Sequence, residues 1–242
     1  MDDRPSLAVF AETCRLPEDR IDLGAAALQI AESEYPGLDS KSYLDRFDEM
    51  ATSVAERRRS GRGVLGMIYD EFGFSGNQKD YYDPKNSYLN EVLDRRLGIP
   101  ISLALVVIET ARRLGIPAEG VGFPGHFLVR LREPVGRHEE TLVDPFDGSV
   151  LSPPRLRGLF KRVTGEDRDP PSELLEPLNK RQILFRMLAN LRGIYEHRSD
   201  GGRLRNVLLR MSILAPENQE IRQQLDQLGG GAPVGDFRFL VN

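Results

Sequence analysis

The first part of the chain has apolar residues at three- to four-residue spacing, the period at which side chains share one face of a helix. One such run covers residues 21–31 and ends at residues 35–37, Tyr-Pro-Gly, which interrupt a helix. A second covers residues 43–59, with apolar side chains on one face and charged ones on the other. The pattern predicts a helical N-terminal region.

The segment 98–115 is apolar on nearly all sides in its middle part and ends with charges and a glycine. Pro100 and Ser102 are favoured at the start of a helix, and Gly115 is favoured just after its end. The sequence therefore predicts a buried helix. The β-branched residues 106–108 leave a buried strand as the alternative.

Upstream of this segment, residues 86–97 are predicted to form a further helix. Downstream, residues 119–131 and 141–143 have the composition of two strands, and we expect an antiparallel pair. Residues 152–177 are rich in Pro, Arg, Asp and Glu, which predicts a connector and a domain boundary.

Beyond the connector, three helices joined by short turns are predicted over residues 178–195, 202–214 and 217–228. The turn Ala-Pro-Glu-Asn before the last of them resembles the end of a tetratricopeptide repeat, so this part resembles one and a half such repeats. The tail, residues 229–242, is compatible with a docked strand or a loose end.

The 242 residues carry a formal net charge of -4, with 40% hydrophobic and 29% charged residues, as in a folded globular protein. This balance argues against a nucleic-acid or anionic-membrane partner, and no apolar stretch is long enough for a membrane span. A single cysteine, Cys14, fits a reducing compartment, so a cytoplasmic location is expected. The sequence does not call for a metal or a cofactor.

Three histidines are candidates for a general base. His138 and His197 lie among charged residues, whereas His126 follows a Pro-Gly pair at the start of an apolar strand. Asp144 follows the next apolar run, so pairing of the two strands would bring its carboxylate to one ring nitrogen of His126. A buried histidine and a turn-capping aspartate are the structural alternatives.

Ser102 would lie at the start of the central helix, where backbone donors and the helix dipole favour an oxyanion. A serine in this place is also a common helix cap, and both roles are compatible. Asn86, Asn90 and Tyr82, upstream of the helix, are weaker candidates for substrate binding, since such residues also serve as caps or cover a core.

Four motifs together resemble the transglutaminase-like core: Gly-Ile-Pro-Ile-Ser, Ala-Arg-Arg-Leu-Gly-Ile-Pro-Ala, Gly-His-Phe-Leu-Val and Val-Asp-Pro-Phe. With the upstream run at residues 81–96, the chain is most similar to the SirB family. The resemblance implies a Cys-His-Asp triad at the positions of Ser102, His126 and Asp144, with serine in place of cysteine.

The fold class implied is α+β, a transglutaminase-like (papain-like) core with a helical N-terminal region and a small all-α repeat-like C-terminal segment. The expected domains are residues 1–155, a connector at 156–177 and a helical region at 178–242.

Two functions are compatible with these features. In the first, the protein recognises a peptide or amide and regulates a protein partner, through the cleft or the C-terminal helices, with weak or no catalysis. In the second, Ser102 attacks an amide or ester while His126 acts as base and Asp144 orients it. The weaker nucleophile favours the first hypothesis.

Overall fold

The protein is described here by a computed structural model that covers residues 4–57, 59–132 and 140–229. Its helices are α1 (Arg4–Arg15), α2 (Leu23–Glu32), α3 (Ser40–Arg57), α4 (Gly61–Leu65), α5 (Leu89–Arg95), α6 (Pro100–Arg113), α7 (Pro153–Thr164), α8 (Lys180–His197), α9 (Gly201–Leu214) and α10 (Gln219–Leu228). Its strands are β1 (Ser75–Gly76), β2 (Leu97–Gly98), β3 (Ala118–Val121), β4 (Leu128–Arg132), β5 (Glu140–Asp144) and β6 (Ser149–Val150). The α+β prediction is confirmed, and within the covered ranges no helix is long and apolar enough to cross a membrane.

Helix α6 is the centre of the unit formed by residues 39–179. Every residue from Pro100 to Ala111 is buried, and α3, α5, β3 and β4 pack against the helix. Pro100 occupies its first position, and Gly115, with φ of 65°, follows its end. The predicted buried helix is confirmed, because burial on all sides explains an apolar run without a polar face.

A four-stranded antiparallel sheet in the order β3-β4-β5-β6 lies beside α6. Residues 119–131, predicted as one strand, instead form the β3–β4 hairpin, because Pro124 and Gly125 (φ 59°) reverse the chain. The predicted antiparallel pairing is confirmed, since β4 and β5 pair with Val129 opposite Val143.

The predicted connector differs most from the structure, since it contains the 12-residue helix α7. Two prolines occupy the first two helical positions, where they start a helix instead of breaking it. The side chains of Leu159 and Phe160 are buried with Val121, Phe123 and Leu128 of the β3–β4 region. Helix α7 therefore packs on the face of the sheet to which Leu128 points, while the adjacent Val129 faces the other side.

The division of the chain also differs from the predicted one. Residues 1–38 group with residues 180–242, so the N-terminal helices belong with the C-terminal helices instead of with the core. In this unit α1 packs against α9 and α2 against α8, and Arg203 forms an ion pair with Glu34. The three predicted C-terminal helices are confirmed. The N-terminal helices α1 and α2 pack against two of them, α9 and α8, and so belong to the same unit. His138 and residues 230–242 lie outside the described residues.

The single cysteine lies within the packed helical unit. Cys14 is buried, and burial raises the pKa of its thiol to about 12, although the positive charge of Arg181 opposes the shift. A protonated, buried thiol does not act as a nucleophile near neutral pH.

We expect thiol titration with DTNB at pH 8 to detect no fast-reacting thiol in the native protein. The same titration in concentrated urea should detect one thiol per chain, because unfolding exposes Cys14 and returns its pKa to the ordinary range. Rapid reaction of the folded protein, at a rate independent of urea, would contradict the burial of Cys14.

Two glycines allow the close contacts at the start of α6. Strands β1 and β2 form a parallel pair in which Gly76 lies opposite Gly98. A Cβ atom on Gly76 would lie 2.2 Å from the ring of Phe146, and one on Gly98 would lie 2.7 Å from Ser102 Oγ. Both distances are shorter than van der Waals contact, so neither position has room for a side chain.

Gly76→Ala should lower the free energy of unfolding by about 1–3 kcal/mol, as expected for an overpacked core. The matched control is Gly193→Ala in α8, where a Cβ meets no atom within 4 Å; this change should raise stability by up to about 1 kcal/mol. Urea denaturation measures both. Equal stability of Gly76→Ala and wild type would show that the Phe146 ring is not held against this backbone.

Candidate functional site

His126 is placed by the turn that joins β3 to β4. Its backbone N–H donates to the carbonyl of Phe123 at 3.1 Å, and it follows Gly125, whose positive φ allows the reversal. A Cβ on Gly125 would lie 2.9 Å from Val163 of α7, so the turn is in tight contact with that helix. The sequence Pro-Gly-His thus places the imidazole at the end of the sheet, just before β4.

The carboxylate of Asp144 binds the imidazole directly, as the sequence predicted for paired strands. His126 Nε2 lies 2.8 Å from Asp144 Oδ1, and the backbone N–H of Phe146 donates to the same oxygen at 2.9 Å. Both site side chains keep some exposure, 16% each. A neutral imidazole that donates to this carboxylate carries its ring proton on Nε2.

The turn after β5 is held in place by a tyrosine that the sequence reading did not single out. Tyr69 donates its hydroxyl hydrogen to the carbonyl of Pro145 at 2.8 Å. Burial raises the pKa of Tyr69 well above its ordinary value, and the negative charges of Asp144 and Asp147 raise it further. The Tyr69 hydroxyl therefore stays neutral and acts as a donor. The Tyr69 ring packs against Gly148, where a Cβ atom would lie 2.4 Å from the ring.

Ser102 lies in a different environment. Its side chain is completely buried; Oγ accepts the backbone N–H of Ile99 at 3.1 Å and donates to the carbonyl of Asn86 at 2.6 Å. The helix cap itself is Ile99, which makes Ser102 the third helical residue and its hydroxyl the capping group for the Ile99 N–H. Among the residues described, none of the hydrogen bonds of this hydroxyl involves His126.

The three weaker candidates lie in the segment that precedes α6 and differ in exposure. Asn86 is fully buried and its amide nitrogen donates to the carbonyls of Asp80 and Tyr81, at 2.7 and 3.1 Å, which holds that loop. Asn90 is buried too, and its Oδ1 has no hydrogen-bond partner in the described part of the chain. Tyr82 is 71% exposed and contacts the ring of Tyr81 edge-on.

An open cleft of about 620 Å³ lies beside the His126–Asp144 pair. The residues that line it come from the β3–β4 turn, from β5 to β6 and from one face of α7: His126, Asp144, Phe146, Asp147, Ser149, Leu151, Arg155, Gly158, Leu159, Arg162 and Val163. Ser102 is not among them. The cleft therefore contains two members of the predicted triad without the third.

Sequence reasoning missed the α7 side of the cleft and Ser149, the serine that lines it. Ser149 pairs with Asp144 across β5 and β6, so the two side chains lie on the same face of the sheet. Arg155 and Arg162 lie in the segment whose composition predicts a connector. The signal was present as an apolar spacing from Leu156 to Phe160 that suits one helix face.

The site has the means for hydrogen bonding and proton transfer but no evident metal ligand set. Within residues 4–57, 59–132 and 140–229, no three His, Cys, Asp or Glu side chains are grouped closely enough to hold a metal ion.

Comparison with known proteins relates most of the chain to a described family. Residues 41–189 match the Transglutaminase-like superfamily. The chain is 38% identical over 229 residues to the UPF0162 protein of Xylella fastidiosa strain 9a5c, covering 88% of this chain and 79% of that protein. The UPF0162 protein PA3419 of Pseudomonas aeruginosa is 35% identical over 176 residues, covering 70% and 63%.

A partial similarity extends to a eukaryotic protein. F-box only protein 21 of Mus musculus is 37% identical over 131 residues, which cover 52% of this chain and 20% of that protein. No solved structure matches the chain significantly. The family match spans more than half of the chain and includes α6, the sheet and the His126–Asp144 pair, so the chain belongs to the transglutaminase-like superfamily.

Proposed function

We propose that the protein recognises a peptide or amide group of a partner protein in the cleft beside His126 and Asp144, with little or no catalysis. One observation carries the proposal: the hydroxyl of Ser102 is completely buried and bonded to backbone, whereas the histidine–aspartate pair lines an open cleft. The site keeps its means of recognition, while the group at the nucleophile position has a structural role.

A serine nucleophile must give its proton to a base and reach the substrate carbonyl. The proton of Ser102 is directed at the Asn86 carbonyl, 2.6 Å away, and the oxygen already accepts the Ile99 N–H. Releasing the hydroxyl would leave two buried backbone groups without partners, which is unfavourable. For Ser102 to act as a nucleophile, its hydroxyl would therefore have to break both hydrogen bonds, which would disrupt the packing at the start of α6.

The cleft has the composition that a peptide site needs. Leu151, Leu159 and Val163 supply apolar surface, and Val163 is 40% exposed. The imidazole of His126 and the carboxylate of Asp147 supply polar groups that can bind amide hydrogens or carbonyls. Ligand sites commonly combine apolar walls with a few polar groups in this way. We place the partner's peptide here instead of on the C-terminal helices for that reason.

A hydrolase remains the second candidate function, favoured by the 2.8 Å bond between His126 and Asp144. An imidazole oriented by a carboxylate is the usual general base for an attacking hydroxyl or water. The hydroxyl in the cleft belongs to Ser149, not to Ser102.

A panel of ester and amide substrates separates the two functions. Under the binding hypothesis, neither wild type nor Ser102→Ala turns over any of them, and a fluorophosphonate probe leaves Ser102 unlabelled. Turnover by wild type that is lost in Ser102→Ala would establish the serine hydrolase. Turnover that survives Ser102→Ala but disappears in His126→Ala or Ser149→Ala would assign catalysis to the cleft instead.

We expect Ser102→Ala to lower the free energy of unfolding by about 1–3 kcal/mol, because the Ile99 N–H and the Asn86 carbonyl lose their buried partner. Ser53→Ala is the control, since this hydroxyl donates to its own helix at the surface and its loss should change stability by less than about 0.5 kcal/mol. Chemical denaturation measures both. A stability of Ser102→Ala equal to that of wild type would refute the structural role.

Blocking the cleft should strongly weaken peptide binding. Peptides selected from a random phage-displayed library on wild type should lose most of their affinity for Val163→Trp, since the indole would occupy the cleft. Val150→Trp is the matched control, because Val150 is 45% exposed on the neighbouring strand and does not line the cleft. Fluorescence polarisation gives the affinities. Failure to select any peptide, or equal binding by Val163→Trp, would refute the proposed function.

A further inference from the structure

One face of α7 forms a wall of the cleft. The lining residues Arg155, Gly158, Leu159, Arg162 and Val163 are spaced at intervals of three and four, so they lie in one stripe along the helix. The two arginines are seven positions apart, which corresponds to about 10 Å along the helix axis. Their guanidinium groups are therefore positioned at two points along the cleft, with the glycine and the apolar side chains between and beside them.

The two cleft arginines differ from the other basic residues of the same helix. Arg157 and Lys161 both bind Asp167, at 2.9 and 2.8 Å. Arg155 donates to the carbonyl of Val150, at 3.3 Å, and to no other acceptor within the described ranges. Neither Arg155 nor Arg162 forms an ion pair with any residue in the described part of the chain. Two exposed guanidinium groups thus line the cleft without an ion-pair partner among the described residues.

The packing of α7 does not require a glycine at Gly158, between the two arginines. It is an exposed residue within α7, and a Cβ built on it would meet no atom within 4 Å. Glycine is the least favourable residue inside a helix after proline, so alanine would suit α7 better. The space beside Gly158 opens into the cleft, where it allows another backbone to approach the helix.

We propose that this wall binds an acidic peptide segment of a partner protein, with Arg155 and Arg162 pairing with two of its carboxylates and its backbone passing over Gly158. The proposal rests on the proposed function and specifies the class of peptide that the cleft takes. Guanidinium groups pair with carboxylates through two parallel hydrogen bonds, which fixes both the charge and the orientation of the ligand.

The strand side of the cleft favours a peptide over a polyanion. Asp147 and Asp144 also line the cleft, from the strand region, and their negative charges would repel the continuous phosphates of a nucleic acid. A peptide can instead direct its carboxylates toward α7 and its amide hydrogens toward Asp147. In a polyproline II segment, side chains three residues apart share one face and lie about 9 Å apart, close to the arginine spacing.

The test begins with selection from a random dodecapeptide phage library on wild type and on the Arg155→Gln/Arg162→Gln double variant. We expect wild type to enrich peptides with Asp or Glu three residues apart, and the double variant to lose that enrichment. Cleft binding of the selected peptides is verified by their loss of affinity for Val163→Trp.

The affinity of the enriched peptide should fall about fivefold with each arginine substitution and about 25-fold with both, and it should weaken as salt is raised. Arg157→Gln, which removes the same charge from the other face of α7, should bind within about twofold of wild type. Gly158→Ala should raise Tm while lowering the affinity, a combination that a purely structural glycine does not produce.

The outcomes distinguish this inference from the proposed function. Peptides that bind the cleft but are neutral or basic, or that bind the double variant as well as wild type, would overturn the acidic-peptide assignment and leave peptide recognition standing. A Gly158→Ala variant with unchanged affinity would overturn the passage of the peptide over Gly158. A selection that yields no peptide sensitive to Val163→Trp would overturn both the proposed function and this inference.

Discussion

The central unit depends on the burial of α6 along almost its whole length. A helix buried at its start cannot leave its unpaired backbone donors to water, so they need partners within the protein. Ser102 supplies one of these partners by accepting the Ile99 N–H, and its own hydrogen bond to the Asn86 carbonyl attaches the loop before α5 to the helix start. The same residue that would serve as the nucleophile in a triad is therefore required for the packing of the helix on which it lies.

This constraint extends to the His126–Asp144 pair through two glycines. Gly98 gives the Ser102 hydroxyl its space, and Gly76, its partner in the parallel β1–β2 pair, lies against the ring of Phe146. The Phe146 N–H in turn donates to the Asp144 oxygen that binds His126. The helix start and the turn after β5 thus form one tightly packed region. A hydroxyl fits this region as a capping group, and the imidazole and carboxylate remain at its open edge.

The open edge becomes a cleft because α7 covers the other face of the sheet. Leu159 and Phe160 anchor the helix in the core, which leaves Arg155, Gly158 and Arg162 on the side that faces His126. Negative groups on the strand side and positive groups on the helix side give the cleft a directional charge pattern. Such a pattern suits a ligand that carries hydrogen-bond donors on one side and carboxylates on the other. It fixes the orientation of the bound ligand more than it raises the binding affinity.

The sequence by itself predicted the buried helix α6, the three C-terminal helices and the meeting of His126 with Asp144. Each of these follows from local periodicity or from the alternation of neighbouring strands, which are properties of adjacent residues. Only the tertiary structure decided that Ser102 is bonded to Asn86 and not to His126, and that α7 forms a wall of the cleft. It also decided that residues 1–38 belong with α8–α10. These features depend on which surfaces pack together across long separations in the chain, and neither composition nor period encodes that choice.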